Sequence, residues 1–421
     1  MDRQGLKGKR LLVLGGNTIC KEMREYADRY GVTLITAGND PHALAHHYSD
    51  EQYYFDVSDR GLLLSFVKDK HIDGILSFTG ETLLGKTIQT VADTGLPYHY
   101  SQKRWDMLMD KVRFKEAALR HGVSVLQPLT YEEAQSILLH SGRSGGGRVV
   151  VKPTRAGGSF GITVCDKICM LDAAISNARK WSGDGNYFIE RFLEGDYFQF
   201  EIWCSHGKRY MAYTKDRVNY PAEPGCARQP YCDIYPSSRA HIYNKVFFEP
   251  LCSLFDEIGL TDGSVQFQGI IEDGTPYIMD VAYRVSGGMD FKVPHRDKGV
   301  NLVAGQMDYA LTGEWLEDLQ TLQTSLKGRL LTLSPGIRNG RIASVEGVEA
   351  IKALPYVYDY FQYYEEGEES NNLGNFLQVF CRIFIEGTSR EDLFAKVKEV
   401  MSLLKVKDES GQDMLLKSPE L

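Results

Sequence analysis

The chain has 421 residues, room for two or three domains with cores of their own and too many for a miniature or fibrous fold. Hydrophobic residues make up 43% and charged residues 25%, the balance of an ordinary globular protein, which excludes a disordered chain or a membrane fold. The net charge is −8 with Lys and Arg spread along the chain rather than blocked, so no broad nucleic-acid surface is expected.

The amino terminus, Met1 to Arg10, is polar and basic with no apolar stretch behind it, and the first apolar run, Leu11 to Leu14, is strand-sized. A cytoplasmic protein without a membrane anchor is expected. None of the eight cysteines forms a CxxC pair or a zinc-finger spacing with histidine, so they read as reduced, mostly buried thiols. Glycine is the one excess, at 41 residues, and several of these glycines fall in turns between predicted elements.

From Arg10 to Phe78, short apolar runs (10–14, 32–36, 74–78) alternate with amphipathic stretches such as Cys20 to Tyr30, a pattern that predicts a parallel sheet with crossover helices. The turn at Gly15, Gly16 and Asn17 ends a strand and opens a helix but lacks a full GxGxxG pattern. Beyond Trp105, apolar residues at 107, 108, 114, 118 and 119 predict an amphipathic helix over 106–121, and Asp110-Lys111-Val-Arg-Phe-Lys115 lies near its start.

A Gly- and Ser-rich connector over 138–148 then leads to a strand ending in a lysine, Arg148-Val-Val-Val-Lys152, followed by Thr154-Arg-Ala-Gly157-Gly158-Ser159-Phe-Gly161. Such a turn lets main-chain N–H groups approach phosphate oxygens while the lysine adds a point charge, and no GKS or GKT comes after it to make it a Walker motif. Phe188-Ile-Glu190-Arg191-Phe192-Leu193 is an apolar strand running into an acidic turn. Asp273-Gly274 between two alternating runs predicts a hairpin that puts Gln266 and Gln268 on one face of one arm and Asp280, Ala282 and Arg284 on one face of the other. That oxygen-rich face suits Mg2+. In the last part of the chain, strands are expected over 341–345 and 376–385, then a helix capped by Thr388 and Glu391.

In this order and at these separations, the four elements around Lys111, Lys152 to Gly161, Glu190 to Leu193, and Gln266 to Gly288 resemble the ATP-grasp superfamily. Its members include carbamoyl-phosphate synthetase, biotin carboxylase, D-alanine–D-alanine ligase and the L-amino acid ligases. The resemblance spans nearly the whole chain and implies an α/β fold: a Rossmann-like domain over 1–105, a two-lobed ATP-grasp domain over 106–325 with a small lobe at about 125–195, and a strand-rich α+β subdomain over 326–421. The implied activity is that of an ATP-dependent ligase joining a small-molecule carboxylate, such as an amino acid, to an amine through an acyl phosphate, with Mg2+ or Mn2+; a homodimer is allowed. Alternatives are a carboxylase or carbamoyl-phosphate type enzyme, and a nucleotide-binding module with weakened catalysis.

By the same resemblance, Lys111 and Lys152 bind the nucleotide. Gly157, Gly158, Ser159 and Gly161 form the loop over the β- and γ-phosphates, and Glu190, Arg191, Phe192 and Leu193 form the hinge at the adenine. Asp280 with Gln266 or Gln268 holds the metal. Arg284 steadies the transferred phosphoryl group, Lys215 in Thr214-Lys-Asp-Arg217 is a second catalytic candidate, and Ser286, Gly287 and Gly288 face the substrate together with Arg284. The chain departs from the family pattern at Asp280, usually Glu; at Ala282, where some members carry Asn; at Gln266 or Gln268, usually Glu; and at Tyr197, where a ribose-binding acid stands in D-alanine–D-alanine ligase.

Overall fold

The computed structural model describes residues 3–78, 80–140, 147–157, 160–221, 229–323, 326, 328–372 and 374–421. Near the amino terminus, four strands, β1 (Arg10–Leu14), β2 (Thr33–Gly38), β3 (Glu51–Tyr54) and β4 (Gly74–Ser77), form a parallel sheet in the order β3-β2-β1-β4, with β1, β2 and β4 mostly buried and β3 a partly exposed edge. Helices Cys20–Tyr30, Arg60–Asp69 and Glu81–Asp93 alternate with them, as the periodicity predicts.

The helix expected over 106–121 is two helices, Gln102–Met109 and Lys111–Arg120. Asp110 breaks the run: its backbone is extended, and its carboxylate accepts the N–H groups of Val112 and Arg113, two of the donors a helix start leaves open. That cap fixes Lys111 in the first turn of the second helix. A small antiparallel sheet comes next, β5 (Val149–Pro153), β6 (Thr163–Cys165) and β7 (Tyr187–Arg191), ordered β6-β5-β7. Val149, Val151 and Ile189 bury one of its faces against helices Tyr131–Leu139 and Leu171–Trp181.

The rest of the chain supplies β8 (Asp196–Ser205), β9 (Lys208–Asn219), β10 (Pro230–Tyr235), β11 (Gly263–Glu272), β12 (Thr275–Ala282), β13 (Arg329–Leu333), β14 (Gly340–Glu346), β15 (Val357–Gln362), β16 (Glu369–Ser370), β17 (Cys381–Gly387) and β18 (Lys405–Asp408). Eight of these make one sheet in the order β12-β11-β8-β9-β10-β13-β17-β15, while β16-β14-β18 form a separate three-stranded sheet. The large sheet therefore runs across position 325, and β13, β15 and β17 continue its floor. Alternation sorts its faces: Phe198, Phe200, Ile202, Val265 and Phe267 pack with Tyr243, Phe247 and Phe255 of the helical layer, while Tyr197, Gln199, Gln266 and Gln268 point to the other side, into a cleft.

Two expectations for the carboxyl-terminal part shift. The strand expected over 376–385 starts at Cys381, because Asn375 accepts the N–H of Leu377 and holds Phe376–Gln378 in a 3-10 turn. The last helix, Arg390–Leu403, is capped by Ser389 rather than Thr388; the Ser389 hydroxyl accepts the Asp392 N–H, and the Asp392 carboxylate returns to the Thr388 N–H. Among the described residues no helix is long and apolar enough to cross a membrane.

Candidate active site

The small sheet, the β11–β12 end of the large sheet, the start of helix Glu81–Asp93 and parts of the carboxyl-terminal unit enclose a cleft of about 1270 Å³. Lys152, Gly157, Glu190 to Leu193, Gln266, Gln268, Asp280, Arg284 and Ser286 to Gly288 all line it. Residues separated by more than a hundred positions in sequence are thus brought to one wall. Gly158 and Ser159 lie outside the described residues.

The inner end of the cleft is organised by charge. Lys152 donates to Glu190 at 2.7 Å, and Lys115 forms an ion pair with the same carboxylate. Burial opposes the charge on Glu190, but the two lysines outweigh it and hold its carboxyl below the usual carboxylate range. Burial likewise pulls the Lys115 ammonium below the ordinary lysine range. The Glu190 side chain is therefore occupied by lysines, which leaves the 191–193 backbone as the edge facing the cleft. Arg191 is anchored to Glu272 at 2.5 Å, the Phe192 N–H bonds Arg148 O at 2.9 Å, and the Glu194 N–H bonds Glu272 at 2.9 Å, so the hinge is held on both sides of Leu193. Apolar Val150, Ile162, Val164, Met170 and Met279 complete this end.

Gly161 sits at φ 72°, where an added Cβ would come within 2.7 Å of Trp181. Only glycine fits this close turn, in which neighbouring Phe160 stacks on Trp181 at 4.8 Å. Gly161 thus shapes the end of the loop, and Phe160 reaches the cleft.

Asp273 and Gly274, both at positive φ (49° and 79°), close the predicted β11–β12 hairpin. Its register places Gln268 opposite Asp280 and Gln266 opposite Ala282. Lys111 forms an ion pair with Asp280; burial works against the Asp280 charge, yet Lys111 keeps its carboxyl below the ordinary range. Gln266 is engaged, donating to Ser286 Oγ at 3.2 Å. Gln268 lines the cleft and can present its carboxamide oxygen beside Asp280. Among the described residues no group of three or more His, Cys, Asp or Glu side chains is placed to hold a metal. One carboxylate, a carboxamide and phosphate oxygens are nonetheless a donor set that suits Mg2+, which keeps several waters and takes one or two carboxylates at phosphate sites.

Arg284 projects from just beyond β12 and is clamped by Glu81 at 2.5 and 2.9 Å, while its third nitrogen donates to Val285 O at 3.0 Å. In the adjacent turn, the Gly288 N–H is taken by Ser286 Oγ at 3.1 Å, and Ser286 in turn donates to Asp290. The Gly288 amide is therefore bound internally. The glycine is needed for packing, since a Cβ there would lie 2.8 Å from the Asp290 carboxylate.

Lys215 departs from its expected place. It is 0% exposed and does not line the cleft; its ammonium donates to Asp233 at 2.8 Å and to Asp290 at 2.7 Å. Two buried carboxylates, both held below the ordinary range by these cations despite burial, fix it in the floor of the sheet. Arg217, two residues further on the same strand face, reaches the cleft instead while bonding Asp233 at 2.7 and 3.0 Å. Three more residues of the site are not among those expected from the sequence. Lys115 was legible as the i+4 neighbour of Lys111 on one helix face. Glu81 and Arg382, brought in from the first and last units, carry no local signal.

No family model matches the chain. It is 30% identical over 140 residues to a D-alanine–D-alanine ligase of Clostridium beijerinckii, a stretch that is 32% of this chain and 44% of that protein. With a D-alanine–D-alanine ligase of Rhizobium meliloti it shares 25% identity over 195 residues, 46% of this chain and 56% of that one. The chain thus spans about half the length of the curated relatives it matches. Among solved structures, the L-amino acid ligase of Bacillus licheniformis superposes over 96% of this chain and 99% of its own with a TM-score of 0.75 at 17% identity. The biotin carboxylase domain of the Hydrogenobacter thermophilus 2-oxoglutarate carboxylase matches over 95% of this chain and 90% of its own, at 0.74 and 15%.

The parallel-sheet domain, the small antiparallel lobe and the large antiparallel sheet around one cleft are shared with these solved structures over nearly the whole chain. The chain has the ATP-grasp fold, in agreement with its sequence motifs.

Proposed function

We propose that the protein is an ATP-dependent carboxylate–amine ligase that activates a small carboxylic acid as an acyl phosphate and couples it to an amine, with release of ADP and phosphate. The observation that carries this reading is the convergence of Lys152, Asp280 and Arg284 on one cleft beside a hinge of apolar residues, with Lys111 behind Asp280 as its ion-pair partner. Joining a carboxylate to an amine is uphill in water, so the γ-phosphoryl group of ATP is first transferred to a carboxylate oxygen; the amine then attacks the acyl carbon and phosphate leaves.

For phosphoryl transfer the protein supplies mostly position and charge. Adenine would lie against Val150, Ile162 and Met279, with its amino edge on the Arg191 to Leu193 backbone. Lys111 and Lys152 offset triphosphate charge, and Arg284 meets the charge developing on the transferred group. Mg2+ would rest on Asp280 and the Gln268 carboxamide and, when bound, adds neutralisation of phosphate oxygens. Phe160 and the loop ending at Gly161 cover the phosphates and exclude water from the acyl phosphate.

We assign residues 1–105, 106–325 and 326–421 to the three units that meet at the cleft. A cytoplasmic enzyme fits the free thiols among the described cysteines, and a homodimer would parallel the dimer formed by the Hydrogenobacter thermophilus biotin carboxylase domain. Asp280 faces Gln268 across the hairpin, and among the described residues no group of three or more His, Cys, Asp or Glu side chains could hold a metal, which supports a second reading, a nucleotide-binding module with slow turnover.

One experiment separates the two. Purified protein is given ATP, Mg2+, an amine mixture and 18O-carboxylate-labelled acids. A ligase transfers one 18O atom into the released phosphate and forms an amide seen by mass spectrometry. ATP-analogue binding with no phosphate release across the panel would leave only the binding module.

A further inference from the structure

Glu81 is an acid that the first unit brings to the cleft, where it opens helix Glu81–Asp93. Its side chain touches two parts of the proposed phosphate site at once. One carboxylate oxygen, Oε1, accepts hydrogen bonds from Arg284 Nε and a terminal nitrogen of the same guanidinium, at 2.9 and 2.5 Å. The other, Oε2, lies against Gly157 at the start of the glycine-rich loop, where an added Cβ would collide with it. A carboxylate thus stands between the loop and the arginine, in the place the ligase reading gives to the γ-phosphate. Two other acids around the cleft are held by two cations each, Glu190 by Lys115 and Lys152, and Asp233 by Lys215 and Arg217. Among the described residues Arg284 is the only cation paired with Glu81. Both side chains of this pair are partly exposed, so a second anion can replace the first without leaving a buried charge uncompensated.

We propose that the Glu81 carboxylate is a built-in stand-in for the γ-phosphate: it holds Arg284 until ATP binds, gives up its place to the γ-phosphate, and returns when phosphate leaves. The inference rests on the ligase reading and adds a control to its nucleotide site, since a triphosphate, and not a diphosphate, then releases the first unit from Arg284. Carboxylate and phosphate oxygens both match a guanidinium fork, so either anion satisfies Arg284. The two cannot share the space between Gly157 and Arg284, because like charges ~4 Å apart repel at a site only partly open to water. Arg284 is therefore exchanged between two anions, and the apparent affinity for ATP is lowered by the fraction of molecules in which Glu81 holds it. ADP has no γ-phosphate and does not compete with Glu81 for Arg284.

The test measures AMPPNP and ADP binding, each with Mg2+, by calorimetry on the full chain and on Glu81→Gln, which keeps the shape of the side chain and removes its charge. If Glu81 holds Arg284 in about nine molecules of ten, the variant should bind AMPPNP about tenfold tighter while its ADP affinity stays within about twofold. Weaker AMPPNP binding would make Glu81 a positioning residue for Arg284 and overturn the stand-in, as would unchanged binding or equal tightening for both nucleotides. A crystal structure of the parent protein with AMPPNP and Mg2+ checks the exchange without a variant. Arg284 should there bond the γ-phosphate with its Glu81 bonds broken, and intact Glu81 bonds would overturn the proposal. That structure alone decides if the variant does not fold. If the parent protein binds neither nucleotide, the ligase reading falls and inorganic phosphate becomes the probe. Tighter phosphate binding by Glu81→Gln would then uphold the stand-in, and equal or weaker binding would overturn it.

Discussion

The Lys152 ammonium lies 2.7 Å from the Glu190 carboxylate, which it shares with Lys115 across the small sheet. The same pattern recurs through the cleft: Lys111 with Asp280, Arg284 with Glu81, Arg217 with Asp233. Each of these four cations is held in place by an acid, which fixes its position and offsets part of its desolvation. This explains how a chain of net charge −8 builds a cationic pocket.

Lys152 and Glu190 should separate binding from stability. Lys152→Met leaves Glu190 paired with Lys115, so the fold should hold while AMPPNP affinity falls about 10- to 100-fold, or ~1.4–2.8 kcal/mol. Glu190→Gln leaves Lys115 buried without a counter-charge and should cost about 3–5 kcal/mol of stability. Calorimetry and urea denaturation of both variants check the pair; unchanged nucleotide affinity in Lys152→Met would remove this lysine from the site.

The hairpin register predicts different phenotypes for the two glutamines. Gln268→Ala, opposite Asp280, should raise the Mg2+ concentration for half-maximal AMPPNP binding about tenfold, and Asp280→Asn at least as much. Gln266→Ala loses the bond to Ser286 and should leave the Mg2+ requirement unchanged. Mg2+ titrations of the three variants decide it, and the reverse ranking of the glutamines would move the metal ligand to Gln266.

The motifs carried by short segments were readable: the β11–β12 hairpin from Asp273-Gly274, the strand ending in Lys152, the parallel alternation of the first unit. Lys215 misled because strand alternation reveals a face but not how far along it the cleft extends, and Asp233 and Asp290 come from β10 and a distant turn. Asp110 concealed a helix break, since the apolar spacing runs through it while its carboxylate caps the next helix. Glu81 and Arg382 reach the cleft only because the first unit and β17 fold against it. That the large sheet continues beyond position 325 is likewise set by long-range pairing of β10 with β13.

Lys215 belongs to the fold rather than to the nucleotide. Lys215→Met would leave Asp233 with Arg217 but strip Asp290 of its ammonium partner inside a buried cluster that also includes Tyr213 and Tyr235. A loss of about 3–5 kcal/mol is expected. Urea denaturation measures it; a normal midpoint with lost AMPPNP affinity would return Lys215 to the triphosphate.

Acid sensitivity should depend on His99. Its ring is buried among Tyr100, Tyr309 and Trp315, Nε2 has no hydrogen-bond partner among the described residues, and burial pushes its pKa from 6.5 down to about 3. Between those values the unfolded chain binds a proton that the folded one refuses, so the contribution of His99 is present above pH 6.5 and is lost as pH falls toward 3, by ~1.4 kcal/mol per pH unit. Glu201, hydrogen-bonded to Tyr213 and Trp203, has the opposite sign: burial raises its pKa from 4.5 to about 7, so its contribution is full below 4.5 and is lost as pH rises through 7. His99→Leu should therefore flatten the acid limb of the stability curve between pH 6 and 4 by about 1 kcal/mol per pH unit relative to the parent protein, with the neutral limb unchanged. Urea midpoints at pH 4, 5, 6 and 7 for both proteins test it, and parallel acid limbs would show that His99 is not the group that titrates.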